Sequence, residues 1–315
     1  MTPKFLIRVR EAKGRGRESG MALHNGTHLR AVESSGEQCV GILQHGKTYR
    51  HTMASQSSQD SKRQDICQWA LGHVALVTGA GQRVGKAIAA SLHKRGYTVA
   101  IHYNASKDEA ISFMAELNSI RKNSAYAFHA DLSTNVKETA HHLVAEVAEK
   151  WGRLDLLVNS AAIYYATPIA ETTEEQWDKL LDLNAKAPYF MTQAAAPYLK
   201  ETHGSVVNVA DILGERPKAP LNVYCITKAT IIMITKSLAL ELAPEVRVNY
   251  VNPGASIFPE GYDEKLKQEW MSKTPLGKAG NGEEVGDSVA FLASPSAGFM
   301  TGAGVSPSGG RSVAL

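Results

Sequence analysis

The feature that most constrains the fold is a regular alternation of short apolar runs with longer segments of helical periodicity. The first run, residues 74–78, is rich in β-branched residues and stops at Gly79, as a buried strand does. Five further runs read as strands: 97–102, 125–129, 154–158, 205–209 and 246–251. Helical patterns lie between them at 84–93, 110–120, 136–150, 174–199 and 222–242. Strands separated by such helices predict a parallel sheet in a single doubly wound α/β domain, with a ligand crevice at the carboxyl ends of the strands.

The first 72 residues differ in composition from this domain, which we place at residues 73–315. They hold eleven Lys/Arg and six Asp/Glu, a balance of +5 that leaves −2 for the rest of a chain with a formal charge of +3. Without a sustained period, the segment is predicted to be a basic leader with little regular structure. An organelle transit peptide is one alternative, although four glutamates argue against it. The simpler alternative is a leader without function, with Met53 as the true start.

Composition excludes several classes of protein. Hydrophobic residues make up 43% of the chain, enough for a sizeable core, yet no apolar run approaches the eighteen residues of a membrane span. Three cysteines, an odd number without metal-ligand spacing, predict neither a disulfide framework nor a metal site, and they favour a reducing compartment. The part of the chain after the leader is not basic, which argues against nucleic-acid binding. We therefore expect a cytoplasmic protein.

A second set of residues suggests chemistry. Tyr224 and Lys228 lie one helical turn apart on one face, where the ammonium is expected to lower the pKa of the phenol. Asp211 precedes Tyr224 by thirteen residues. Gly79 and Gly85 belong to a glycine-rich strand-to-helix turn, which suits a pyrophosphate beside a helix N-terminus.

Together with Asn184, these motifs resemble the short-chain dehydrogenase/reductase family, and the resemblance runs from about residue 73 to the end of the chain. It implies a Rossmann-like fold, Tyr224 as proton donor, and Lys228 as the residue that binds the nicotinamide ribose. It also implies that Asn184 sits at a helix kink that holds a relay water. Most members carry a serine where Asp211 stands here, and an acid at this place is typical of the pteridine reductases.

The cofactor prediction is NADPH. An acid at the end of the second strand would bind a ribose 2′-hydroxyl and repel a 2′-phosphate, and this chain has no acid there until Asp108. His102 or Lys107 could add positive charge, although Ala105 replaces an arginine that is frequent in pteridine reductases. The resemblance and these observations assign the following residues to the cofactor: Gly79, Arg83, Val84, Gly85, His102, Tyr103, Asn104, Ser106, Asp131, Leu132, Asn159, Ala161, Pro253, Gly254 and Ser256, with Tyr224 and Lys228.

The resemblance also indicates the substrate contacts. Tyr164 takes the place of an aromatic residue that stacks on the pterin, and Arg83 and Ser256 face the substrate. Trp270, with residues 275–277, resembles a mobile lid. Asp211 and Tyr224 would protonate a pterin ring nitrogen. Ser160, Ala162 and the segment 306–310 depart from the pteridine reductase pattern and leave affinity open.

These features predict an NADPH-dependent reductase of oxidised pterins such as biopterin and dihydrobiopterin, with folate or dihydrofolate as further substrates. A ketone or 3-oxoacyl reductase of the same family is one alternative, and a catalytically silent nucleotide-binding scaffold is another. Relatives are commonly homotetramers built on the two long helices, so we expect a homotetramer.

Overall fold

The computed structural model of the protein describes residues 69–254 and 263–314, together with the backbone of four short segments between residues 20 and 52. The chain divides into two compact units, Met1–Ile66 and Cys67–Leu315. Predictions that concern the remainder of the leader, including a transit peptide, lie outside the described residues, and so does Ser256.

The first unit contains strands that the sequence analysis did not predict. They are β1 (Gly20–Ala22), β2 (His28–Ser34), β3 (Gln38–Ile42) and β4 (Thr48–Thr52), paired antiparallel in chain order. Strands such as β2 (HLRAVES) and β4 (TYRHT) are largely polar or charged, so they do not stand out as the apolar runs that mark the strands of the second unit.

The second unit is built on a parallel sheet, as predicted. Its strands are β5 (Val74–Val77), β6 (Thr98–Tyr103), β7 (Ala125–His129), β8 (Leu156–Asn159), β9 (Ser205–Val209), β10 (Arg247–Val251) and β11 (Gly304–Val305). They lie in the order β11-β10-β9-β8-β5-β6-β7, and all six neighbouring pairs are parallel. The strand order reverses between β5 and β8, which places the crevice of a doubly wound sheet beside the glycine-rich turn. The two-residue strand β11 was not predicted.

Helices cover both faces of this sheet. They are α1 (Arg83–Lys94), α2 (Lys107–Ile120), α3 (Val136–Trp151), α4 (Glu174–Leu181), α5 (Ala187–Thr202), α6 (Asn222–Leu242), α7 (Glu264–Ser272) and α8 (Gly282–Ala293). Buried residues of α3, α5 and α6 form one apolar core with the sheet, and those of α1, α2 and α8 form the other. The helices α7 and α8 were missing from the sequence-based prediction.

Helix α6 deserves comment because it is long and apolar enough, at 21 residues, to cross a membrane by length and composition alone. In the domain, 56% of its most apolar window is buried, and it packs against β9 and β10. A buried core helix passes the same test, so its contacts with the sheet account for its apolar character.

The domain begins slightly before the predicted boundary at residue 73. Ala70 is fully buried, and the ring of Trp69 lies edge-on to that of Tyr97 with 5.5 Å between the centroids. These contacts extend the second core by a few residues toward the leader.

Candidate active site

The centre of the site is a hydrogen bond between an acid and a phenol. The Tyr224 hydroxyl, on the first turn of α6, donates to Oδ2 of Asp211 at 2.8 Å. Asp211 follows β9 and begins a short 3₁₀ turn, where its Oδ1 accepts from the amide of Leu213 at 2.9 Å. Gly214 closes this turn against α6, since a Cβ there would lie 2.7 Å from the carbonyl carbon of Lys228. The turn and the helix therefore hold the pair together.

Lys228 lies beneath this pair without forming an ion pair with it. Its Nζ donates to the carbonyl of Val209 at 2.9 Å and lies 5.6 Å from the centroid of the Tyr224 ring. No carboxylate of the described residues lies within ion-pair distance of this ammonium. Burial lowers the pKa of Lys228 to about 8, against the opposing effect of the negative charge of Asp211.

The acid and the phenol both retain their protons more strongly than in water. Burial raises the pKa of Asp211. Burial, followed by the charge of Asp211, also raises the pKa of Tyr224 well above its ordinary value. The prediction that Lys228 lowers the phenol pKa is therefore wrong for this arrangement, because burial and then the charge of Asp211, which accepts from the hydroxyl, raise that pKa. Both groups therefore keep their protons to higher pH than they would in water, so a proton is present at the site.

Asn184 lies where the predicted helix 174–199 is interrupted. A π-helical turn, Asp182–Lys186, separates α4 from α5. The Asn184 side chain accepts from the Ile163 amide and donates to the Ile163 carbonyl, both at 2.9 Å, and donates to Thr227 Oγ1 at 3.3 Å. It thereby ties the helix break to the loop after β8 and to α6. The break lies where the resemblance places the kink, and the relay water stays a prediction.

Two aromatic residues border the catalytic pair. The rings of Tyr164 and Tyr224 lie edge to face, with 4.8 Å between centroids and an interplanar angle of 82°, and Tyr164 is 42% exposed. Trp270, on α7, packs against the apolar cluster that contains Tyr224. Lys218 and Arg311 lie 5.2 and 5.0 Å from its ring centroid. The structure thus brings both predicted substrate aromatics to the Asp211 side of the crevice.

The glycine-rich turn is packed so closely that Gly79 and Gly85 cannot be replaced by a residue with a side chain without moving the backbone. A Cβ on Gly79, whose φ is +65°, would lie 2.9 Å from Cα of Ala161, and one on Gly85 would lie 2.2 Å from the Gly79 carbonyl oxygen. Arg83, the first residue of α1, has a left-handed φ of 53°, which is uncommon outside glycine and is typical of functional sites. Val84 follows it on the first turn. The turn therefore presents the helix N-terminus to the crevice.

Thr78 contributes to the site although the sequence analysis assigned it no role. Its Oγ1 accepts from the amides of Ser160 and Ala161 at 2.9 and 3.0 Å. It thereby docks the loop after β8 onto the glycine-rich turn. A threonine that directly precedes the first glycine was the only signal for this role.

Residues at the end of β6 take different positions from those predicted. His102 is 2% exposed; its Nδ1 lies 3.0 Å from the Gly79 amide, and its Nε2 lies 3.1 Å from the Ala130 carbonyl. Burial lowers its pKa to about 4. The expectation that His102 adds positive charge for a phosphate is therefore wrong, because the ring is neutral and both nitrogens are occupied within the fold. Tyr103 is also buried, with its ring 5.4 Å from that of His129.

Asn104 and Ser106, in contrast, lie on the crevice side of β6. Asn104 is exposed and Ser106 is partly exposed. Ser106 is the N-cap residue of α2, but its side chain makes no capping hydrogen bond. A Cβ on Gly81 would lie 2.5 Å from Ser106 Oγ, so the glycine-rich turn and the N-terminus of α2 form one continuous surface.

Several other predicted cofactor residues serve the fold as well. Asp131 accepts from the Ser133 amide and hydroxyl at 3.0 and 2.6 Å, and Leu132 beside it is buried. Asn159 donates to Asn208 Oδ1 at 2.8 Å, so its amide nitrogen points into the interior instead of the crevice.

The loop after β10 completes the crevice. The Pro253 carbonyl accepts from the Ile212 amide at 3.4 Å, and the Gly254 amide donates to Pro307 at 3.2 Å. These bonds join the loop to the turn that carries Asp211 and to the C-terminal segment.

The residues present fit a nicotinamide dinucleotide. The glycine-rich turn leaves no room for a Cβ and lies against the amino end of α1. Asp211 lies at the carboxyl end of β9, and Tyr224 and Lys228 lie on the first two turns of α6. This arrangement of fold and side chains is that of a dinucleotide-dependent oxidoreductase.

Comparison with known proteins supports an oxidoreductase. The family model described as Enoyl-(Acyl carrier protein) reductase matches residues 79–312. Pteridine reductase 1 of Leishmania tarentolae is 36% identical over 278 residues, covering 76% of this chain and 96% of the relative. A 3-oxoacyl-(acyl-carrier-protein) reductase of Staphylococcus aureus is 33% identical over 240 residues, covering 75% and 96%. An uncharacterised oxidoreductase of Methylorubrum extorquens is 36% identical over 246 residues, covering 76% and 97%.

The chain belongs to the short-chain dehydrogenase/reductase family and is an oxidoreductase. Members of this family use NAD(P)H, which the glycine-rich turn is shaped to hold. Both the fold and the family that the sequence analysis predicted are confirmed.

Proposed function

We propose that the protein is an NADPH-dependent reductase of oxidised pterins, with dihydrobiopterin and biopterin as favoured substrates and folate or dihydrofolate as further ones. The observation that carries the proposal is the 2.8 Å hydrogen bond from the Tyr224 hydroxyl to Asp211. An acid stands here where carbonyl-reducing relatives use a serine hydroxyl.

An acid at this position discriminates between acceptors. Reduction of a ketone develops negative charge on oxygen, and a carboxylate nearby would repel it. Reduction of a C=N bond places a hydride on carbon and requires a proton on nitrogen. Because burial raises the pKa of Asp211, the acid can help to keep that proton at the site. The pair therefore favours a pyrazine C=N bond over a carbonyl group.

Each residue of the site has a defined task in this reaction. The bound dinucleotide supplies the hydride. Tyr224 donates its hydroxyl proton to the ring nitrogen, and Asp211, bonded to the same hydroxyl, supports the return of a proton. Lys228, which the Val209 carbonyl holds beneath the tyrosine, binds the nicotinamide ribose. Tyr164 and Trp270 enclose the pterin ring, and Arg83 faces it from the glycine-rich turn.

The end of β6 supports NADPH over NADH. Asn104 and Ser106 are hydrogen-bonding side chains on the crevice side, and Ser106 leads directly into α2. Helix N-termini favour anions, since their amides and dipole point at the ligand. No acid lies between the end of β6 and Asp108. A kcat/KM for NADH equal to or above that for NADPH would contradict this step.

Reduction of a 3-oxoacyl thioester is the second candidate. It is favoured by the Staphylococcus aureus relative, which is 33% identical over a similar share of the chain. The two candidates differ in what they require at residue 211, and this difference makes them separable by experiment.

Purified protein should be mixed with NADPH, and the loss of nicotinamide absorbance followed with dihydrobiopterin or with a 3-oxoacyl ester. Oxidation of NADPH with the pterin alone is the expected result. Turnover with the ester alone would replace the proposal by the second candidate. Binding of NADPH without turnover of either would favour a silent scaffold.

We also propose a homotetramer in the cytoplasm. Helices α5 and α6 leave large apolar side chains exposed, among them Tyr189, Met233 and Leu240, the last two at 63% and 85%. Apolar surface of this kind on two long helices is suited to helix pairing between subunits. The mass in solution, measured by light scattering, tests this directly, and a monomer at micromolar concentration would contradict it.

A further inference from the structure

The buried histidine at the end of β6, His102, connects the ends of three neighbouring strands beside the nucleotide crevice. We propose that His102 is a positioning residue for the dinucleotide: it fixes the glycine-rich turn in its binding-competent form through its two ring nitrogens. This inference rests on the proposed use of NADPH and assigns His102 a task different from the charge that the sequence suggested.

The geometry connects the carboxyl ends of three strands. Nδ1 of His102 accepts from the Gly79 amide, 3.0 Å away, at the end of β5. Its Nε2 donates to the Ala130 carbonyl, 3.1 Å away, just after β7. The backbone carbonyl of His102 also accepts from the Ala80 amide at 2.9 Å. One residue of β6 thus holds the first two residues of the glycine-rich turn and the start of the segment that contains Asp131.

The partners determine the protonation of the ring. A backbone amide can only donate and a carbonyl can only accept, so Nδ1 is unprotonated and Nε2 carries the proton. The ring is 2% exposed, and burial lowers its pKa to about 4, in agreement with a neutral ring. His102 therefore works as a donor–acceptor brace and not as a cation.

Loss of the His102 side chain should weaken dinucleotide binding before it affects the catalytic residues. Gly79 packs with its α-carbon against the backbone of Ala161, and Gly85 packs against the Gly79 carbonyl, so the turn and the start of α1 move together. Without the imidazole acceptor, the partly buried Gly79 amide is left without its partner in the fold, and such a loss is costly enough to shift a local equilibrium. Asp211 and Tyr224 are supported separately by the turn after β9 and by α6. The KM for NADPH should therefore change while kcat and the KM for the pterin stay near their wild-type values.

His93 provides a matched control. It is also buried, its Nε2 lies 2.7 Å from Ser124 Oγ, and burial lowers its pKa to about 4 as well. It lies near the C-terminal end of α1 and the start of β7, at the end of the sheet opposite the crevice. A general loss of packing would affect both histidines alike.

The experiment measures NADPH dissociation constants by calorimetry for the wild-type protein and for His102→Leu, His102→Gln and His93→Gln, with thermal unfolding of each. We expect His102→Leu to bind NADPH roughly ten- to a hundredfold more weakly. His102→Gln, which retains one acceptor and one donor, should recover part of the loss, and His93→Gln should bind like the wild type.

Two results would overturn the inference: NADPH binding by folded His102→Leu within twofold of wild type, or an equal weakening in His93→Gln. Should the leucine variant not fold, the two glutamine variants decide, since His102→Gln is expected to bind at least threefold more weakly than His93→Gln and equal binding refutes the proposal. Wild-type protein that binds no NADPH would instead overturn the proposed cofactor, and the inference with it.

Discussion

Two aspartates at opposite ends of the sheet have different partners, and the proposed function gives them different tasks. Asp155, just before β8, accepts from the Val74 amide at 2.8 Å and from Nε and Nη2 of Arg153 at 2.9 and 2.6 Å. Asp211, just after β9, accepts from one amide and from the Tyr224 hydroxyl. The nearby cation of Asp211, Lys228, donates to a backbone carbonyl instead.

The difference lies in how each negative charge is satisfied. A forked arginine forms charge-assisted bonds to both oxygens of Asp155, and the Val74 amide bonds to the same carboxylate, which fixes the start of the strand. The side-chain partner of Asp211 is a phenol instead of an arginine, and burial raises the pKa of Asp211. Asp155 with its arginine therefore supports the fold, whereas the proposed function assigns Asp211 with its phenol to proton transfer.

The largest expected effect tests the phenol side of this contrast. Tyr224→Phe removes the proton that reaches the substrate, and we expect kcat/KM for dihydrobiopterin to fall about a thousandfold, within the range known for loss of a general acid. NADPH binding should persist, because Lys228 and the glycine-rich turn are unchanged. Stopped-flow measurement of NADPH oxidation gives the rate.

Tyr165→Phe is a suitable control for that variant. Its hydroxyl donates to the Gln176 carbonyl at 3.0 Å and does not contact Asp211. Retention of more than a tenth of wild-type activity in Tyr224→Phe would mean that another group donates the proton.

Removing the charge of Asp155 should affect stability without affecting chemistry. Asp155→Asn weakens two charge-assisted bonds to Arg153, and we expect a loss of about 2 kcal/mol in the free energy of unfolding, the usual size for hydrogen bonds to charged groups. Urea denaturation measures this loss. The remaining folded protein should keep the wild-type kcat, and a selective fall in kcat would erase the distinction between the two aspartates.

The buried histidines predict a smaller, pH-dependent loss of stability. Burial lowers the pKa of both His93 and His102 to about 4, whereas an unfolded histidine titrates near 6.5. Below pH 6.5 the unfolded state therefore binds more protons, so stability falls as the pH falls and the effect is complete near pH 4. For fully buried His102 alone, we expect a loss of about 2 kcal/mol between pH 6.5 and 5.

Urea midpoints at pH 6.5 and 5 measure this loss, and His102→Gln isolates the contribution of one ring from that of the carboxylates. The variant should lose less stability than the wild type over this interval. An equal loss in both proteins would show that His102 is protonated in the native state.

The regular part of the domain was predictable because its signals are local. Strands such as 125–129 and 205–209 and the helix 222–242 coincide with β7, β9 and α6, since their periodicity and length mark them in the sequence. The helix α7 was missed because it buries none of its residues fully and so shows no apolar stripe. The strand β11 has only two residues, which no period can reveal.

The sequence predicted which residues form the site but not the role of each one. Tyr224, Lys228 and Asp211 come together as the resemblance implied. The direction of the phenol pKa and the task of His102 depend on which atoms meet across the sheet, and that is a tertiary property. The role of Thr78 likewise arises from two amides more than eighty residues away.

In the proposed function, Asp211 commits the enzyme to a nitrogen acceptor, and the substitution Asp211→Ser separates this function from ketone reduction. The kcat/KM values for dihydrobiopterin and for a 3-oxoacyl ester should be measured with NADPH for both proteins. We predict that the pterin-to-ester ratio falls at least a hundredfold in Asp211→Ser, mainly through loss of pterin reduction. An unchanged ratio, with pterin turnover intact, would contradict the account.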